Sequence, residues 1–85
     1  MYCAVYRSSK KPDTYLYLAE KDRFDCLPQP LRQAFGQPTL VLELTLSPAR
    51  RLAQEDVRAV LVALLARGWF LQLPRQDVGE LLHPH

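Results

Sequence analysis

The sequence predicts an α+β domain with the element order β-β-α-β-α-β built around a four-stranded sheet. Three observations support this. Four short segments rich in aromatic, leucine and β-branched residues are bounded by turn residues, as strands are. Two other segments repeat apolar residues at helical spacing. Proline and glycine punctuate these segments rather than interrupt them.

The first strand is Tyr2 to Arg7, which alternates along its length. The second, Thr14 to Ala19, reads the same way. Between them lies Ser8-Ser9-Lys10-Lys11-Pro12-Asp13, a polar loop with turn chemistry, so the two strands form a hairpin. Leu27-Pro28-Gln29-Pro30-Leu31 opens a short helix, because proline is tolerated in a first turn. Leu27, Leu31 and Phe35 form its apolar stripe, Gly36 is placed as a left-handed (αL) terminator, and Pro38 forbids continuation. The third strand is Thr39 to Leu46, and simple alternation puts Leu40, Leu42, Leu44 and Leu46 on one face.

Arg50 and Arg51 oppose a helix dipole, whereas Glu55 and Asp56 suit a first turn, so the second helix is expected from near Ala53. Val57, Val60, Leu61, Leu64 and Leu65 keep its period, and Arg67 and Gly68 close it. Trp69 to Leu73 is the fourth strand, ended by Pro74. The domain is thus residues 1–75, and 76–85 is a short tail whose Val78, Leu81 and Leu82 suffice for one amphipathic turn.

Composition bounds the function classes. Eighty-five residues, 48% of them hydrophobic, make one globular domain that folds without metal or disulfide staples. A formal charge of +2 is too small to identify a nucleic-acid binder, so any basic patch has to be local. Cys3 and Cys26 form neither a C-x-x-C pair nor a zinc cluster and are expected as reduced thiols. The chain starts without a charged n-region and apolar h-region, and Val60 to Ala66 is far too short to span a bilayer. A cytosolic location without membrane contact is the resulting expectation.

Chemistry-bearing residues are few. No catalytic motif is present, and no cofactor or metal is expected. His83 and His85 lack an evident third ligand, and Ser8 and Ser9 have no base nearby in sequence. Glu43 is the one acid in an otherwise apolar strand. It is either a general acid or base of raised pKa in a cleft, or an edge residue facing water or an arginine. Arg7, Lys10 and Lys11 cluster around the hairpin loop, and all four tyrosines, Tyr2, Tyr6, Tyr15 and Tyr17, lie in the hairpin. Pairing that brings the small aliphatic residues together gathers the tyrosines into one patch. Two readings of that face stand: a helix covers it, or it is open and binds. The leading expectation is a non-catalytic binding or adaptor module that contacts a protein partner through Arg7, Lys10, Lys11 and the exposed tyrosines. The alternatives are an RNA-binding surface that stacks bases on Tyr6, Tyr15 and Tyr17, and a small enzyme built on Glu43.

Four motifs in register resemble the YcgL domain family of bacteria. They are Tyr6-Arg7-Ser8-Ser9-Lys10, Thr14-Tyr15-Leu16-Tyr17-Leu18, Phe35-Gly36-Gln37-Pro38 and Gly68-Trp69-Phe70-Leu71-Gln72-Leu73-Pro74, which together span Tyr2 to Pro74. Trp69 departs from the smaller aromatic that the family leads one to expect. The resemblance implies an α/β/α sandwich with helices on both faces of the sheet and a proteobacterial origin. It implies no activity and brings no catalytic or binding residues with it.

Overall fold

The computed structural model describes residues 1–52 and 55–74. Its elements are β1 (Tyr2–Arg7), β2 (Tyr15–Leu18), α1 (Gln29–Phe35), β3 (Thr39–Thr45), α2 (Val57–Arg67) and β4 (Trp69–Gln72). A single 3-10 turn, Phe24–Cys26, precedes α1. The expected order holds, and the fold is α+β. The features expected of the tail, from the amphipathic turn to His83 and His85, lie outside the described residues, as does Ala53.

The sheet order is β3-β1-β2-β4 and every neighbouring pair is antiparallel. Two separate cores follow from strand alternation. On one face, Ala4, Tyr6, Leu16 and Leu18 pack with Leu27 and Phe35 beneath α1. On the other, Cys3, Val5 and Tyr17 pack with Leu46, Val57, Val60 and Leu64 beneath α2. Helices therefore lie on both faces.

Local chemistry explains the helix ends. Pro30 sits in the first turn of α1, where its missing N–H leaves no bond unmade. Gly36 stops that helix at φ 78° and ψ −148°, a glycine region distinct from the αL geometry expected for it. Asp56 caps α2 by accepting from the Arg58 N–H at 3.0 Å, so the described helix starts at Val57 rather than near Ala53. Gly68 ends it in the αL conformation, at φ 87° and ψ −2°.

Two expectations about faces are corrected by register. Val5 pairs with Leu42 and Tyr6 with Leu40, so Val41 is an extra residue, a β-bulge in the edge strand. The bulge moves Leu40 to the α1 face while Leu42 and Leu44 stay on the α2 face, so the leucines do not share one side. The tyrosines divide as well. Tyr6 pairs with Leu16, and Tyr17 with Val5. Tyr6 thus joins the α1 core and Tyr17 the α2 core, and no single tyrosine patch forms.

Candidate functional site

The hairpin loop is built onto the end of α1. Ser8 is buried, and its hydroxyl donates to the Phe35 carbonyl at 2.5 Å. The same oxygen accepts from the Lys10 and Lys11 N–H groups at 3.2 and 2.9 Å. Lys10 Nζ donates to the Gln33 carbonyl at 3.0 Å. Ser9 Oγ accepts from the Gln37 N–H at 2.8 Å. Asp13, at φ 56°, turns the loop back, and the Ser8 N–H closes it onto the Thr14 carbonyl at 3.0 Å. Aspartate tolerates that left-handed backbone better than most residues.

Gly36 makes the contact feasible. A Cβ there would lie 2.5 Å from Ser9 Oγ and 2.7 Å from Lys10 Cγ. The first and third sequence motifs, 27 residues apart from Ser8 to Phe35, thus interlock. Sequence reasoning missed this clamp. The available signal was a pair of serines entering a turn, where hydroxyls commonly satisfy backbone groups.

Beside the pinned loop lies a groove of about 510 Å³. Lys10, Lys11 and Asp13 form one wall, Leu31 and Phe35 of α1 a second, and Leu71, Leu73 and Pro74 a third. The apolar lining comes from elements that the sequence placed correctly but did not connect to the loop. A neighbouring concavity of about 410 Å³ on the other side of Lys10 includes Arg32. The loop end of the molecule thus combines an apolar cleft with a charged rim of Lys10, Lys11 and Asp13, and Arg32 lies on the far side of Lys10.

The other candidate residues are placed elsewhere. Arg7 is exposed at the end of β1, paired with Tyr15 and Thr39, and it does not line the groove. Tyr6 is 2% exposed, and its hydroxyl donates to Asp22 Oδ1 at 2.9 Å while accepting from the Asp22 N–H at 2.7 Å. Tyr17 is 7% exposed and donates to Gln72 Oε1 at 2.7 Å. Burial pushes its phenol up to about 12. Tyr15 is half-buried against the α2 core. Only Tyr2 stands clear of the cores, and its hydroxyl donates to Glu43 Oε1 at 2.7 Å.

Glu43 is exposed on the edge strand, with Lys21 Nζ at 3.4 Å from Oε2. The Tyr2 hydrogen bond and the Lys21 charge hold its carboxyl below the usual glutamate value. A general acid needs the opposite shift. Glu43 lines none of the described cavities, and its surroundings are those of an edge ion pair. Among the described residues, no three His, Cys, Asp or Glu side chains are grouped to hold a metal ion. No described helix is long and apolar enough to cross a membrane.

A four-stranded antiparallel sheet sandwiched by one helix on each face, with its hairpin loop locked to the first helix, defines a small α+β domain class. The chain belongs to the YcgL domain family, whose sequence profile matches residues 3–75. It is 53% identical over 77 residues to a YcgL domain-containing protein of Thioalkalivibrio sulfidiphilus, covering 91% of this chain and 95% of that one. It is 46% identical over 85 residues to a YcgL domain-containing protein of Citrobacter koseri, covering all of this chain and 87% of the relative. It is 45% identical over 85 residues to Protein YcgL of Escherichia coli O139:H28, covering all of this chain and 78% of the relative.

Proposed function

We propose that this YcgL domain is a non-catalytic binding module that holds a segment of a protein partner in the groove between the hairpin loop, α1 and the end of β4. The observation that carries the reading is the pinned loop. Hydrogen bonds made by Ser8, Ser9 and Lys10 fix the loop backbone and the Lys10 side chain beside an apolar cleft before any partner arrives. Such preorganisation removes much of the ordering cost of binding. The chemistry favours a segment with an apolar anchor flanked by carboxylates: the anchor fills the space among Leu31, Leu71 and Leu73, and the carboxylates meet Lys10 and Lys11. A protein segment is favoured over RNA because Tyr6 and Tyr17, which would stack bases, are buried. Two free thiols suit a reducing cytosol.

The test places a photo-crosslinking residue at Lys11 in the full chain and, as a control, at Asp25. A partner captured only from position 11 is then purified and titrated against wild-type protein and the Lys11→Glu, Leu73→Asp double variant. Affinity should fall at least about tenfold, or 1.4 kcal/mol. Unchanged affinity of the double variant, or equal capture from Asp25, would put the contact elsewhere.

A further inference from the structure

Helix α2 is apolar over most of its circumference, with Arg58 and Arg67 as its only charged residues. Val57, Val60 and Leu64 are buried against the sheet. On the opposite side Val62 is 65% and Leu65 77% exposed, flanked by exposed Ala59 and Ala66. A surface helix ordinarily carries mostly polar residues there, whereas here Arg58 is the one charged side chain beside an exposed apolar stripe. This stripe is remote from the groove and independent of the function proposed for it.

We infer that the stripe is a contact between two copies of this chain, with α2 packed antiparallel on α2 about a two-fold axis at Val62. Charge points to a second copy. The start of α2 carries Glu55 and Asp56, and its last turn carries Arg67. Antiparallel packing sets the acidic start of one copy beside the basic end of the other and aligns the helix dipoles favourably. Arg58 of each copy falls against the C-terminal carbonyls of its mate, where a cation is stabilising. Arg67 is held at that end with its guanidinium over its own Trp69 ring, 3.8 Å from the centroid.

Shape points the same way. With Val62 on the axis, Ala59 of one copy lies opposite Leu65 of the other, so a small side chain meets a large one twice. A two-fold contact must be self-complementary in this manner. Eleven residues of helix span roughly 16 Å, which sets the contact at the small end of specific interfaces. The dimer is therefore reversible. The β3 edge is the rival apolar surface, with Leu40, Val41 and Leu42 exposed. Its bulge disturbs the regular pairing that an added strand needs.

Analytical ultracentrifugation of the full chain from about 5 to about 500 µM reads this directly. The wild type should pass from one-chain to two-chain mass across the series. Val62→Glu and Leu65→Lys, both at exposed positions and both with unchanged circular dichroism, should remain single chains throughout. Leu42→Glu should dimerise as the wild type does. A wild type that stays at one-chain mass overturns the inference, as do α2 variants that dimerise normally. Dimerisation abolished by Leu42→Glu alone would move the contact to the β3 edge.

Discussion

At the scale of single residues, one glycine and two serines organise the loop end of the molecule. Gly36 occupies backbone space that is essentially closed to other residues. It also leaves room for Ser9 and Lys10. Gly36→Ala therefore incurs backbone strain and displaces Ser9 Oγ from the Gln37 N–H. The expected loss is about 2–3 kcal/mol of stability, measured by urea denaturation. The lost stability should be accompanied by faster amide exchange at Lys10 and Lys11, because their acceptor, Ser8 Oγ, loses its fixed position. This clamp was only half legible in the sequence. A Gly-Gln-Pro stop and a Ser-Ser entry are visible locally, but their meeting depends on a separation of 27 residues that no local pattern encodes. For Glu43 the sequence left two readings open, a cleft or an edge facing water or an arginine, and the structure places it at the edge. Its partners, Tyr2 and Lys21, come from other elements.

At the scale of elements, capping and periodicity determine where each helix and strand begins and ends. α2 has little amphipathic contrast to hold it on the sheet, so its N-cap matters. Asp56→Ala removes the acceptor of the Arg58 N–H. It should cost about 1 kcal/mol, seen as a lower thermal midpoint with the native circular dichroism spectrum retained at low temperature. Strand positions were readable because turn residues bound each run. Strand faces were not readable to the same degree. The run Leu40 to Leu44 is apolar but for Glu43 and gives no sign that Val41 is the extra residue. The division of the tyrosines depends on hairpin register, which the polar loop sets through Ser8, Asp13 and Thr14.

At the scale of the whole molecule, the sheet separates two cores, each with its own helix. Cys3 is fully buried in the α2 core, where burial pushes its thiol up to about 11. Cys26 is only partly buried near the 3-10 turn. At pH 8 the Cys3 thiol is protonated and shielded, so it is a poor nucleophile twice over. Native protein treated with iodoacetamide should lose one thiol, at Cys26. Cys3 should react only at the rate of global opening and freely in denaturant, with peptide mass spectrometry locating each adduct. Rapid native alkylation of Cys3 would mean that the α2 core opens separately from the sheet.

The strand order has a consequence for how the chain reaches this state. β1 and β2 are made first and occupy the centre, while both edges arrive later, β4 last of all. Leu18 waits for Trp69 and Leu16 for Leu71. A nascent chain leaving the ribosome thus carries a hairpin whose β1 flank stays unpaired until residues near Thr45 emerge and whose β2 flank stays unpaired until residues near Gln72 do. Such distant pairing slows closure, and the exposed flanks are where a chaperone would bind or misassembly would begin.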